Sequence, residues 1–225
     1  MSVIRHSNID INKITIGPLK KTPNGRKMIN ILHDDKPLVF QTPKMVAPYG
    51  LTEYRDEATG KINSFVLDGS FGTDNEELDQ FLTTMEQIEQ KVLEVAAERS
   101  MEWFDSDEPF TVSEIKKAKM FKSQVKRHSE NKYPPTLKMK FMYYDNRCHT
   151  RVFDTKKVER DPNFIQKGSK VVSILELRSV WLINNSFGVT FKVIQTKAEN
   201  KEQIQDYAFI DDEDQAVEDT EYDDY

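Results

Sequence analysis

The hydrophobic period of this 225-residue chain changes twice, and this change limits the possible folds more than any other feature of the sequence. Short β-branched runs separated by turn residues fill the first third, for example residues 28–32 and 65–71. From Asn75 to about Met101, apolar residues recur every three or four positions, which predicts an amphipathic helix. Strand-like patterns return in the last third. The sequence therefore predicts a mainly β protein of the α+β class, with a helical insertion at about 75–128.

Turn residues and a capping signal subdivide these segments. The turn-like stretch 33–36 predicts a hairpin between the strand-like runs on either side of it. Thr111 and Glu114 have the spacing of a capping box, which predicts a second helix from Thr111 to about Arg127. Its basic residues would form a cationic face that is either simply solvated or follows phosphates. They are Lys116, Lys117, Lys119, Lys122, Lys126 and Arg127.

Two further hairpins are predicted in the last third. Residues 138–144 and 147–153 flank Asp145-Asn146, a two-residue turn suited to positive φ. Residues 171–183 and 189–196 form a similar pair around a turn at 184–188. Several strands, short turns and an intervening helical segment fit a small closed or nearly closed barrel. The predicted architecture is an oligonucleotide/oligosaccharide-binding (OB) type of β-barrel with a helical insertion.

The first of these hairpins places basic and aromatic residues side by side. Lys138, Lys140 and Tyr144 share one strand face, and Met139 and Phe141 share the other. In OB barrels, aromatic rings stack on bases and basic side chains neutralise phosphates. A place in the barrel core is the alternative role of any one ring, and Tyr144 is the best stacking candidate. The candidate nucleic-acid-binding residues are Lys138, Lys140, Tyr144, Arg147, Arg151, Lys156, Lys157 and Trp181.

The C-terminal segment carries the opposite charge. Residues 211–225 contain nine carboxylates and no basic residue, so that residues 1–210 carry a net charge of +3 although the whole chain carries −6. A like-charged segment with little aliphatic content cannot offset the entropy lost on ordering, which predicts a disordered tail. Such a tail either serves solubility or mimics a nucleic-acid strand toward a basic surface.

Composition and motifs argue against several other classes. Cys148 is the only cysteine in the sequence, so an intrachain disulfide framework is excluded and a reducing, intracellular location is expected. The sequence has no signal-peptide core and no membrane-spanning stretch. It also lacks the phosphate-loop, dinucleotide-binding, zinc-protease and paired-cysteine motifs. We therefore expect no catalytic residue, no metal and no cofactor, and we interpret Cys148-His149 as hairpin residues.

Several segments carry a family resemblance. Residues 36–44 (KPLVFQTPK), 48–50 (PYG) and 65–71 (FVLDGSF) resemble the N-terminal half of the single-stranded DNA-binding proteins of large eukaryotic DNA viruses. Residues 168–172, 180–181 and 187–195 resemble the C-terminal half of the same proteins. Those viral proteins are similar to the acidic-tailed single-stranded DNA-binding proteins of T-odd podophages.

The resemblance implies an OB-fold domain over residues 1–210 that binds single-stranded DNA without base specificity in viral replication, recombination or repair. It also implies that the tail competes with DNA for the cleft and recruits the replicative polymerase and helicase. The matching tail residues are Asp211, Asp212, Glu213, Asp214, Asp223, Asp224 and Tyr225, although the phage tail usually ends in Phe. The expected location is the host cytoplasm, a viral factory or the host nucleus.

Two questions remain open at the level of sequence. The alternative function is an acidic-tailed protein-interaction module, a DNA mimic that holds a basic partner and binds no nucleic acid. The apolar face of the first helix, with Leu78, Leu82, Met85 and Val92, could pack on the barrel or mediate formation of a homodimer.

Overall fold

The computed structural model describes residues 2–21, 27–128, 130 and 132–201. The predicted acidic tail, residues 211–225, lies outside the described residues. The described strands are β1 (Ile4–Arg5), β2 (Ile14–Lys21), β3 (Lys27–His33), β4 (Leu38–Gln41), β5 (Met45–Ala47), β6 (Leu51–Arg55), β7 (Ile62–Ser70), β8 (Val125–Lys126), β9 (Thr136–Phe141), β10 (Tyr143–Tyr144), β11 (Arg147–Cys148), β12 (Arg151–Phe153), β13 (Glu159–Arg160), β14 (Ser169–Ile183) and β15 (Ser186–Glu199). The helices are α1 (Glu76–Glu98), α2 (Ser100–Phe104) and α3 (Val112–Lys117), with 3₁₀ turns at His6–Asn8, Ile11–Lys13 and Pro162–Phe164.

Five of the strands close into a barrel. Going around it, β5 pairs with β7, β7 with β9, β9 with β15, β15 with β14, and β14 with β5 again. Every pair is antiparallel except β9 with β15. If the five strands are numbered in chain order, their spatial order around the barrel is first, second, third, fifth and fourth. This is the Greek-key connectivity of a five-stranded OB barrel. The predicted fold class and barrel type are therefore confirmed, and α1 to α3 lie between the second and third barrel strands.

The long strand β14 organises the sheet. One of its edges pairs with β15 over most of its fifteen residues, and its other edge pairs in succession with β5, β4 and β3. The predicted hairpin around residues 33–36 is therefore wrong beyond its turn. His33 and Lys36 do exchange backbone hydrogen bonds of 2.8 and 3.1 Å, but β3 and β4 then diverge onto successive parts of β14. The edge of β14 is long enough to accept both.

The first predicted helix is present and closes one end of the core. The Asn75 side chain accepts a hydrogen bond from the Leu78 backbone N–H and caps α1, and Phe81 packs edge-on against Phe40 and at a tilt against Phe71. Met85 and Val92 are fully buried in the same core. Of the two roles open for this apolar face, the structure therefore shows packing on the barrel of the same chain.

The second predicted helix is much shorter than expected. Its capping box at Thr111 and Glu114 is present, but α3 ends at Lys117 rather than near Arg127. Met120 is buried, and its carbonyl accepts a hydrogen bond of 3.0 Å from the Phe187 N–H at the start of β15. This non-local pairing draws the chain out of the helix, and a continuous cationic helix face does not form.

Candidate nucleic-acid interface

The predicted hairpin around Asp145-Asn146 forms only near its turn. Both turn residues have positive φ as expected, and β10 pairs with β11. Beyond them β9 and β12 separate, and each pairs in parallel with β15 instead. Thr150 occupies the point of separation, where its hydroxyl accepts from the Met142 N–H (2.8 Å) and donates to the Val193 carbonyl (2.7 Å). The prediction of one long hairpin over residues 138–153 is therefore wrong beyond β10 and β11.

The second and third strands of the barrel, β7 and β9, present a polar outer face. On the inside, Leu67 lies opposite Met139, and both are fully buried. On the outside, Asp68 lies opposite Lys138, and Val66 lies opposite Lys140. In parallel register, Lys192 of β15 is the other neighbour of Lys140. The predicted alternation along β9 is thus present, with both lysines on the outer face.

A shallow cleft of about 310 Å³ lies on this outer face, and we call it the Tyr54–Trp181 cleft. It is lined by Tyr54, Asn63, Ser64, Val66, Gln124, Lys138, Lys140, Trp181 and Thr190. These residues come from five barrel or barrel-flanking strands and from the segment before β8. The face formed by the second and third strands is the one on which OB barrels bind oligonucleotides.

Tyr54 and Lys138 form one side of the cleft. The Lys138 Nζ lies 4.9 Å from the centroid of the Tyr54 ring, within the range of a cation–π contact. Tyr54 is 45% exposed and is held beside β7 through the pairing of β6 with β7. The sequence pattern does not reveal Tyr54, because β6 is short and mostly exposed and its hydrophobic pattern gives little signal.

Trp181 forms the other side. Its Nε1 donates a hydrogen bond to the Val189 carbonyl at 3.2 Å, and the indole is only partly buried. The ring lies against Gly188, its cross-strand partner, where a Cβ atom would come within 3.0 Å of the indole and 2.7 Å of the Lys122 carbonyl oxygen. Glycine at this position lets the indole lie close to β15 while it lines the cleft.

Tyr144 and Arg147, which the sequence analysis also selected, lie on the β10–β11 hairpin and do not line the cleft. Tyr144 is 53% exposed and stacks on His149, with ring centroids 3.5 Å apart and planes inclined by 6°. One face of the Tyr144 ring is therefore covered by a side chain of its own hairpin.

Arg151, Lys156 and Lys157 lie farther along the chain, on β12 and in the turn after it. Arg151 makes an ion pair of 2.8 Å with Glu159. Lys156 lines a separate pocket of about 670 Å³ that also contains Lys170 and other basic residues. Of the eight predicted residues, the structure brings Lys138, Lys140 and Trp181 together in one cleft, and the other five lie outside its lining.

Two partly or fully buried carboxylates lie near the cleft. Burial raises the pKa of Asp68, and the nearby ammonium groups of Lys138 and Lys126 oppose the rise. Burial also raises the pKa of Glu89 on α1. The hydrogen bonds that Glu89 accepts from Ser123 and from the Gln124 backbone partly offset this rise. Glu89 thus holds the segment that supplies Gln124 to the cleft.

Other kinds of site find little support in the part of the chain that the structure describes. Its His, Cys, Asp and Glu residues form no group of three or more that could hold a metal ion. Burial raises the pKa of the Cys148 thiol, which disfavours a reactive thiolate. No helix among the described residues has the length and apolar character needed to cross a membrane.

The chain was compared with solved structures and with known sequences. It is similar to gp2.5, a single-stranded DNA-binding protein of bacteriophage T7, with 12% identity, coverage of 77% of this chain and 98% of that chain, and a TM-score of 0.48. It is also similar to the single-stranded DNA-binding protein of bacteriophage Enc34 in complex with single-stranded DNA, with 12% identity, coverage of 84% and 97%, and a TM-score of 0.41. No curated protein sequence matches. A model described as a family of unknown function, DUF5871, matches residues 70–211, which is more than half of the sequence, and the chain belongs to that family.

Proposed function

We propose that this chain binds single-stranded DNA, with little dependence on sequence, in the Tyr54–Trp181 cleft, and that it is a binding protein rather than an enzyme. The observation that carries the proposal is the meeting of two partly exposed aromatic rings and two lysines on the oligonucleotide-binding face of an OB barrel. The binding domain in this proposal is residues 1–210. The sequence resemblance further supports a role in the DNA replication, recombination or repair of a large eukaryotic DNA virus.

The chemistry of such a site is simple. Tyr54 and Trp181 provide rings on which bases can stack, and each stacked base contributes roughly 1–3 kcal/mol. Lys138, Lys140 and the adjacent Lys192 neutralise phosphates and release counterions. Because stacking accepts any base and phosphates are the same in every nucleotide, this combination favours single strands over duplexes without strong sequence preference.

The two cleft lysines should control the salt dependence of binding. The double substitution Lys138→Ala and Lys140→Ala is expected to reduce the slope of log K against log salt by about 1.4, because each lost phosphate contact removes about 0.7 for a single strand. The matched control is Lys156→Ala with Lys157→Ala, which removes the same charge outside the cleft. Titration of a labelled oligo-dT across a salt series measures both slopes. Equal slope changes in the two variants would contradict the assignment of the cleft.

We further propose that the acidic tail competes with DNA for this cationic face and recruits a polymerase and a helicase. A chain that ends at Ile210 is then expected to bind oligo-dT at least about threefold more tightly at low salt, because a tethered polyanion has been removed. A full-length variant whose tail carboxylates are replaced by the corresponding amides should bind like the shortened chain, which separates the effect of charge from that of length.

The same titrations test the proposed function itself. Fluorescence anisotropy of the full chain and the shortened chain, with labelled oligo-dT and a matched duplex, should show salt-sensitive binding that prefers the single strand. Failure of both chains to bind either DNA would refute the proposal and favour the alternative of an acidic-tailed module for a basic protein partner.

A further inference from the structure

Asp68 is an unusual residue for a surface that binds a polyanion. It lies on the outer face of β7, directly opposite Lys138 of β9. The next outward-facing pair of the same two strands, Val66 and Lys140, lines the cleft. The Asp68 side chain is partly buried. Among the described residues its carboxylate has neither a hydrogen bond nor an ion pair within 4.0 Å, and the Lys138 ammonium contacts the Tyr54 ring.

The secondary structure around this carboxylate does not account for its position, although the ammonium groups of Lys138 and Lys126 lie near it. The carboxylate does not cap a helix, close a turn or bridge two strands within the described structure. Partial burial without a partner costs free energy, and burial accordingly raises the pKa of Asp68. The nearest candidate functional surface is the Tyr54–Trp181 cleft, where a carboxylate would repel the phosphates of a bound strand.

The chemistry of a carboxylate limits what it could contact in a nucleic acid. An ionised Asp only accepts hydrogen bonds, and the oxygens of the phosphate backbone also only accept them. Among the bases, cytosine, adenine and guanine each have an exocyclic amino group that donates. Thymine has none, and its N3–H lies between two carbonyl oxygens that repel a carboxylate. In a single strand these edges are free of pairing partners and accessible to protein.

We infer that Asp68 accepts a hydrogen bond from the exocyclic amino group of a base held in the cleft, so that one position of the site prefers a base with such a group to thymine. This inference rests on the proposed function and refines it. The Lys138 ammonium lies over one face of the Tyr54 ring, which leaves the other face for a base, and Asp68 is directly across the strand pair from Lys138. The bound strand would turn the edge of a base toward Asp68, while Lys138 and Lys140 remain available to phosphates.

The test compares oligo-dC with oligo-dT of equal length at neutral pH and fixed salt. The wild-type chain is expected to bind oligo-dC about three- to tenfold more tightly, as one charge-assisted hydrogen bond permits. Asp68→Ala should abolish this preference, and Asp68→Asn, which adds a donor for the thymine carbonyl, should shift it toward oligo-dT. The matched control is Asp35→Asn, which makes the same charge change at an exposed turn and should keep the wild-type preference.

Each outcome separates the inference from the function on which it rests. If the wild-type chain binds the two oligonucleotides equally, or if Asp68→Ala tightens both equally, Asp68 only repels phosphates and the inference is wrong while the function stands. If neither oligonucleotide binds, the proposed function fails and the inference fails with it. Both variants should melt no lower than the wild-type chain, and Asp68→Asn decides the matter if the alanine variant folds poorly.

Discussion

Replacing both Tyr54 and Trp181 with alanine is expected to weaken the binding of single-stranded DNA by at least about thirtyfold. The two rings lie on opposite sides of the cleft, and each can stack on a base for roughly 1–3 kcal/mol. The slope of affinity against salt should change little, since no charge is removed. Anisotropy titration with oligo-dT at several salt concentrations measures both quantities.

Variants that keep an aromatic ring control for this result. Tyr54→Phe and Trp181→Phe preserve a stacking surface, and each should retain most of the affinity, although Trp181→Phe gives up the hydrogen bond to the Val189 carbonyl. A loss of less than about threefold in the double alanine variant would show that the cleft is not where bases stack. Thermal unfolding of each variant should precede the titrations, because Trp181 packs against Gly188.

The second large effect concerns the stability of the fold and depends on the hydrogen bonds of Glu89. The Ser123 hydroxyl lies 2.5 Å from Glu89 Oε2 and 2.8 Å from the Val125 carbonyl oxygen. A hydroxyl carries one proton and cannot donate to both. The hydroxyl therefore donates to one of these two oxygens at a time, and its contact with Glu89 links α1 to the segment that enters β8. Burial raises the pKa of this carboxyl, and the hydrogen bonds from Ser123 and Gln124 oppose the rise.

Glu89→Ala is therefore expected to lower the free energy of unfolding by roughly 2–4 kcal/mol. It leaves a cavity and strands the Gln124 N–H, which now donates to Glu89 Oε1 at 2.6 Å. Glu89→Gln should lose clearly less stability than Glu89→Ala, because its amide fills nearly the same volume, accepts from the Gln124 N–H and can donate to the Ser123 hydroxyl. Chemical denaturation of the three chains measures the difference.

The same substitution should also remove a pH dependence. Burial in the folded chain raises the pKa of Glu89 above its ordinary value of 4.5. Between pH 4.5 and the raised pKa, the folded state therefore binds more protons than the unfolded state. Wild-type stability should therefore fall as the pH rises from about 4.5 through the raised pKa, and then become level. Glu89→Gln should lack this component. A glutamine variant as unstable as the alanine variant would show that Glu89 acts as a charged group instead.

The parts of the fold that could be predicted from sequence are those specified locally. The start of α1 at Asn75, the capping box at Thr111 and the positive-φ turn at Asp145-Asn146 each depend on a few adjacent residues, and all three are present. Strand alternation likewise placed Lys138 and Lys140 on the outer face correctly.

The errors arose where distant segments compete for the same backbone groups. The helix predicted to reach Arg127 ends early because Met120 pairs with Phe187, and the hairpin after Phe141 opens because β9 and β12 both pair with β15. The candidate cleft was incomplete for the same reason. Tyr54 reaches Lys138 only through the pairing of β6 with β7 and of β7 with β9, which local sequence patterns do not reveal.

The long strand β14 has a consequence for how this chain is made. Strands β3, β4 and β5 leave the ribosome early, yet the strand edge that pairs with all three belongs to residues 169–183. The Thr42 hydroxyl, for example, accepts a hydrogen bond from the Ser173 N–H, which is 131 positions later in the chain. In a nascent chain these N-terminal strands therefore lack β14 as a partner until most of the protein has been synthesised, and closure of the barrel depends on contacts of high sequence separation, which are formed slowly.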